Sequence, residues 1–84
     1  MSKPVKIYTK EGCPYCRRAK ELLKDKAVAV EEIDVTNDQK TRDELEAITG
    51  FATVPLIFIG DQFIGGANDL SELDESGKLD GMLA

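Results

Sequence analysis

Two cysteines separated by two residues, Cys13-Pro-Tyr-Cys16, are the residues of this chain best suited to chemistry, and they are its only cysteines. On a helix this spacing is under one turn, so the two thiols come within bridging range. Pro14 suits the first position of a helix, because it lacks the N–H that would be orphaned there. Cys13 then sits at the helix N-terminus, where free N–H groups and the positive end of the dipole favour thiolate over thiol. Thiols in such positions fall from a pKa of about 8.5 to roughly 3.5–7.5. Lys10, Arg17 and Arg18 push the same way. Cys16 lies deeper along the helix and is expected to be less exposed and less acidic. The expected division of labour is attack by Cys13 and resolution by Cys16 in thiol–disulfide exchange.

Other uses of the pair fit less well. The chain has no His, so two cysteines do not supply the roughly four ligands of a zinc site. A structural disulfide across two intervening residues closes a very small loop and stabilises little. Inert buried thiols suit Cys16 but not Cys13, beside Pro14. The lack of His also removes imidazole-based acid–base catalysis.

Composition narrows the function classes further. The 84 residues are 42% hydrophobic and 32% charged, ordinary for a globular chain and long enough for one core over 1–84. The net charge of −5 disfavours nucleic acid as a partner. That charge is unevenly placed: residues 1–26 carry eight Lys/Arg against three Asp/Glu, and residues 27–84 carry three against thirteen. The dithiol therefore lies in a locally basic segment of an acidic chain. The N-terminus lacks the apolar stretch of a signal peptide, and no run is long enough to span a bilayer. The expectation is a cytoplasmic protein away from membranes, and nothing demands more than a monomer. In a reducing compartment a close cysteine pair reads as reactive rather than structural.

The elements that must hold this pair follow from periodicity. Val5 to Thr9 alternates apolar and polar and reads as a strand. Glu11 to Pro14 is a turn, and Cys16, Ala19, Leu22 and Leu23 mark a helix running to about Lys26. Val28 to Val35 reads as a second strand, although its alternation slips at Glu31-Glu32. Thr36-Asn-Asp-Gln39 has capping-box spacing and opens a second helix, with Leu45 and Ile48 on its inner face and Gly50 as its stop. Leu56 to Ile59 and Gln62 to Ile64 form a hairpin about Gly60-Asp61. Gly65-Gly66 breaks that strand. Asp69-Leu-Ser-Glu72 has cap spacing and starts a third helix ending near Gly77, and Leu79, Met82 and Leu83 suit a final short helical turn. The order is β-α-β-α-β-β-α, an α/β chain with a four-stranded mixed sheet flanked by helices. The first β-α-β requires a crossover with parallel strands.

Two further segments carry weaker signals. Pro55, in Ala52-Thr-Val-Pro55, cannot donate to a sheet ladder and should open a strand or lie on an edge. Gly65-Gly-Ala-Asn-Asp69 places glycines before a helix start, where backbone N–H groups can hold a carboxylate and Asp69 can pair with an ammonium group. By itself each is also an ordinary strand start or helix cap.

Taken together, in this order and spacing, the motifs resemble the glutaredoxin family of dithiol, bacterial type. The resemblance spans nearly the whole chain: Ile7-Tyr-Thr-Lys10, Cys13-Pro-Tyr-Cys16, Thr53-Val-Pro55, and Gly65-Gly66 with Asp69-Leu70. It implies a thioredoxin-like fold, a glutathione-dependent thiol–disulfide oxidoreductase, glutathione as co-substrate, no metal, and a cis Pro55 facing the cysteines. It also implies a binding site. Cys13 would form the mixed disulfide, and the Val54 backbone, between Thr53 and Pro55, would pair with the glutathione cysteine. Lys10 and Arg42 would meet the glycine carboxylate, and Tyr15 would line the groove. Gly66, Asn68 and Asp69 would hold the γ-glutamyl end. The implied partners are disulfide-containing or glutathionylated proteins, ribonucleotide reductase among them. Many relatives carry Cys where this chain has Ala67, and Gln or Arg where it has Leu56; the latter change would remove a polar contact. Two alternatives stay open at this point. One is a thioredoxin-like donor independent of glutathione. The other is an iron–sulfur cluster carrier bridging two chains through Cys13 and glutathione.

Overall fold

The computed structural model describes residues 3–84. Strand β1 (Val5–Thr9) lies second in a four-stranded sheet of order β2-β1-β3-β4. Its neighbours are β2 (Val30–Asp34), parallel, and β3 (Leu56–Ile59), antiparallel. Strand β4 (Gln62–Gly65) pairs antiparallel with β3 through the turn at Gly60-Asp61. This is the mixed sheet expected from the sequence, with the expected parallel first pair.

The period-2 alternation of β1 and β3 sorts their side chains onto two faces. Val5 and Ile7 stand beside Ile59 and Ile57 in register, and all four are buried in the main core. Helix α1 (Pro14–Asp25) adds Ala19 and Leu23 to that core, helix α3 (Ala67–Glu75) adds Leu70, and helix α4 (Lys78–Leu83) adds Leu79 and Leu83. Leu23, Leu70 and Leu79 are completely buried, each contributing on the order of 2 kcal/mol of apolar transfer. Lys26, the C-cap of α1, pairs with Asp74 at 2.6 Å and Asp80 at 2.9 Å, so one ammonium ties α1 to α3 and α4.

The other face carries an aromatic row. Tyr8 meets Phe58 edge-on at 5.9 Å, Phe58 meets Phe63 at 5.1 Å, and Phe63 meets Phe51 edge-on at 5.2 Å. Phe51 follows Gly50, the left-handed C-cap of helix α2 (Gln39–Thr49), and so brings that end of α2 to this face.

Four details differ from the sequence reading. The second strand is β2, Val30–Asp34, shorter than Val28 to Val35, because Val28 and Val35 turn into the protein at either end while the strand itself is an edge. The cap of α2 is Asp38 and not Thr36: Asp38 Oδ1 accepts from the Thr41 N–H at 3.1 Å, whereas the Thr36 hydroxyl accepts from the Glu11 N–H at 2.7 Å. Ile48 is 75% exposed, so Leu45 alone of α2 is buried. Asp69 is the third residue of α3 rather than its cap, and the helix starts two residues earlier, behind Gly66.

Candidate active site

The β1–α1 loop delivers the dithiol. It is moored to the end of β2 by two bonds, Val35 N–H to the Thr9 carbonyl at 2.8 Å and Glu11 N–H to Thr36. Pro14 then starts α1 and Cys13 is its N-cap. The Cys13 sulfur accepts from the Cys16 N–H at 3.3 Å, a free first-turn donor of the helix used as a cap donor would be. That is a geometry suited to holding negative charge on sulfur. Cys13 is half-buried, Cys16 is 2% exposed, and the two thiols are not joined. Burial is the main force on Cys16: it pushes the thiol up to about 11, the Cys13 thiol adds to this, and the Lys10 backbone and the Lys20 ammonium pull partly back.

Opposite Cys13 stands the segment before β3. The Val54–Pro55 peptide bond is cis, and the Val54 carbonyl lies 3.9 Å from the Cys13 sulfur. Pro55 is buried at the base of this segment. Around the two runs a cleft of about 720 Å³ opens. The β1–α1 loop and helix start contribute Lys10, Cys13 and Tyr15 to it, and α2 contributes Arg42. Thr53, Val54 and Pro55 form one wall, and Gly66, Asn68 and Asp69 at the start of α3 complete it. The Arg18 guanidinium lies over the Tyr15 ring, 5.8 Å from its centroid, and steadies this exposed rim residue.

The start of α3 is built around Gly65 and Asp69. The Gly66 N–H donates to Asp69 Oδ2 at 2.9 Å. Gly65 has φ of +124°, and a Cβ there would lie 2.7 Å from Asp69 Cγ. The backbone must be bare for the carboxylate to fold back over the helix start. The other carboxylate oxygen and the N–H groups of the first turn remain available to a ligand.

Every sequence-derived site residue except Cys16 thus lines one cleft; Cys16 touches it only through its N–H on the Cys13 sulfur. Sequence reasoning missed Phe51, which also lines it and lies outside every segment singled out above. Phe51 had one usable signal, an aromatic directly after a helix-stopping glycine. Leu56 is buried in β3 and lies outside the cleft lining, so it stands as sheet packing. Among the described residues no group of three or more His, Cys, Asp or Glu is placed to hold a metal ion.

Comparison with known proteins decides the family. The family profile named glutaredoxin matches residues 5–64. The chain belongs to the glutaredoxin family. Glutaredoxin 3 of Escherichia coli strain K12 is 49% identical over 79 residues, covering 94% of this chain and 95% of that protein. A glutaredoxin of Pseudomonas aeruginosa is 47% identical over 81 residues, 96% of each chain. Among solved structures, a crystal structure of a buckwheat glutaredoxin–glutathione complex superposes with a TM-score of 0.92 at 32% identity, covering 96% of this chain and 76% of that one. The solution structure of a Brucella melitensis glutaredoxin gives 0.87 at 45% identity, covering 98% and 89%. The fold is therefore the thioredoxin-like fold of glutaredoxins, and the activity is that of a thiol–disulfide oxidoreductase. Glutaredoxins use glutathione as co-substrate. No helix among the described residues is long and apolar enough to cross a membrane.

Proposed function

We propose that this glutaredoxin reduces protein disulfides and glutathione mixed disulfides through Cys13, with glutathione bound in the cleft beside it. The observation that carries the reading is the placement of Cys13: capped by a helix N–H, half-exposed, and facing the Val54 carbonyl along the floor of a cleft with basic groups. An extended tripeptide laid along Val54 would take main-chain hydrogen bonds there and bring its own sulfur to Cys13. Lys10 and Arg42 supply positive charge for its glycine carboxylate. The first-turn N–H groups of α3 suit the carboxylate of the γ-glutamyl end, and the unengaged Asp69 oxygen suits its amine.

The chemistry needs no imidazole. Cys13 thiolate attacks a glutathionylated substrate, takes the glutathione and releases a reduced thiol; a second glutathione thiolate then attacks the mixed disulfide and leaves as glutathione disulfide. With a protein disulfide, Cys16 resolves the intermediate and the Cys13–Cys16 disulfide forms. Glutathione reduces it afterwards. The proposed substrates are disulfide-bearing or glutathionylated proteins, ribonucleotide reductase among them by family resemblance. The proposed setting is a reducing compartment that contains glutathione, the cytoplasm.

Cysteine exchange tests the assignment. In a glutathione-dependent assay on a small mixed disulfide, Cys13→Ser is expected to lose activity and Cys16→Ser to keep it. Turnover by Cys13→Ser would overturn the choice of nucleophile.

A further inference from the structure

Cys16 belongs to a second cleft. This one, of about 500 Å³, reaches both cysteines from the β2 side and is walled by Lys20, Glu32 and Asp34. Lys20 stands four residues after Cys16, on the same face of α1. Its ammonium lies 3.1 Å from Glu32 Oε2, and that same oxygen accepts from the Thr9 hydroxyl at 2.8 Å. Thr9 is 2% exposed and sits at the end of β1, immediately before the loop that carries Cys13. A buried hydroxyl thus fixes a carboxylate, and the carboxylate holds an ammonium beside the dithiol.

An ion pair with side chains 42% exposed on both partners stabilises a fold very little. Its placement is what distinguishes it. The charged groups of this cleft are Lys10, Glu11, Arg17, Lys20, Glu32 and Asp34, three of each sign. Cys13 is the titratable neighbour of Cys16 on its own helix; Lys10 comes from the preceding loop, and Glu32 and Asp34 come from β2. The Lys20 ammonium favours the charged form of Glu32 and, to a smaller extent, of Asp34 and of Cys16, whose thiol burial nevertheless leaves raised. Lys20 is the cation of this cleft that is held in place by an ion pair, with Glu32 of β2.

The geometry points to Lys20 as a positioning residue for the resolving step: held by Glu32 and Thr9, its ammonium stabilises the Cys16 thiolate that closes the Cys13–Cys16 disulfide. In that step Cys16 gives its proton to water in the second cleft, and its thiolate attacks the Cys13 sulfur of a mixed disulfide. The bond from Cys13 to the leaving sulfur breaks, and the electron pair departs with that sulfur as thiolate. Cys16 is oxidised as it enters the Cys13–Cys16 disulfide, Cys13 passes from one disulfide to the other, and the leaving sulfur is reduced to a thiol. The inference rests on the proposed roles of Cys13 and Cys16.

The test uses the reduced protein and the aryl disulfide dithiobis-nitrobenzoate, which releases a coloured thiolate twice. The first release reports attack by Cys13, and the second reports closure by Cys16. Removing a weak charge that changes the thiolate fraction about threefold is offset about 1.5- to 2-fold by the greater nucleophilicity of a more basic thiol, leaving a net slowing of about twofold. Lys20→Gln is expected to slow the second release about twofold relative to the first and to move its pH midpoint upward by about 0.5. Lys20→Arg should restore both. Glu32→Gln should give an intermediate slowing, because the ammonium loses its anchor. An unchanged ratio and pH midpoint in Lys20→Gln would overturn the inference, as would equal slowing of both releases. Turnover of glutathione mixed disulfides by Cys13→Ser would instead overturn the functional reading, and the two-phase release is measured without glutathione.

Discussion

Gly65→Ala is the sharpest probe of how the cleft is assembled. The substitution adds one methyl group to a residue at φ of +124°, a backbone conformation that side-chain-bearing residues rarely adopt. Backbone strain of this kind costs about 1–3 kcal/mol. The added Cβ would also lie 2.7 Å from Asp69 Cγ and 2.9 Å from its Cβ, so the carboxylate must move. That movement breaks the 2.9 Å bond from the Gly66 N–H, a loss of about 1 kcal/mol at a half-buried site. The sum is about 2–4 kcal/mol of stability, a large fraction of what a small domain has. Urea denaturation should show the midpoint falling by about 1–4 M, and thermal melting a drop of roughly 8–30 °C. Gly77→Ala separates the two contributions. Gly77 has φ of +78°, but a Cβ there meets nothing within 4 Å, so only the left-handed strain of about 1–2 kcal/mol applies. Equal losses for the two variants would refute the reasoning, because the contact with Asp69 would then contribute nothing. So would a Gly65→Ala protein within 0.5 kcal/mol of the parent, a bound set by ordinary surface substitutions of about that size.

Three other expectations follow from the same structure. Lys10→Ala and Arg42→Ala should each raise the KM for glutathione about two- to fivefold with little change in kcat, as expected for partly exposed charges that bind and do not react; steady-state kinetics at low salt would show it, and an unchanged KM in both would remove them from the site. Ala27, just past the α1 cap, has φ of +56°, so Ala27→Gly should stabilise the protein by about 0.5–1 kcal/mol in urea titrations. Cys16 is neutral when folded up to about 11 but ionises near 9.0 when unfolded, so the unfolded chain binds fewer protons between those values and stability falls across that window, by about 2–3 kcal/mol. Lys26, whose pKa is raised by Asp74 and Asp80, is lost in the same direction at high pH, so a Cys16→Ala chain should show a shallower but not flat alkaline decline in a pH series of urea midpoints.

The elements nearest the chemistry were the most legible. Alternation in Val5 to Thr9 and the Cys-Pro pair define β1 and the start of α1 with no tertiary information. The α2 start was not decidable this way, because Thr36, Asn37 and Asp38 are three consecutive cap formers. What selects Asp38 is the Glu11 amide, which claims the Thr36 hydroxyl from 25 residues away. Ile48 misled for a related reason: helical spacing with Leu45 says which residues share a side, not whether anything covers it. Asp69 looked like a cap because the true cap, Gly66, has no side chain to signal it. Three short runs with distinctive residues, Lys10 to Tyr15, Phe51 to Pro55 and Gly66 to Asp69, wall the cleft, and the motifs fall on all three; Arg42 stands alone on α2, where no local pattern marks it. The second cleft was invisible, because Thr9, Lys20 and Glu32 are unremarkable singly and meet only when β2 pairs with β1.

The outer strand of the sheet has a bearing on how copies of this chain meet. β2 reads Val-Glu-Glu-Ile-Asp along its length and offers its free backbone edge to solvent. An open edge of this kind is a template for strand addition, and charge along it is one way proteins prevent that. Two copies joined edge to edge would set Glu31, Glu32 and Asp34 of one chain against the same three of the other. A single Lys20 on each side compensates only part of that repulsion. Charge on this edge therefore opposes strand addition between copies, and it does so on the side of the sheet away from β4.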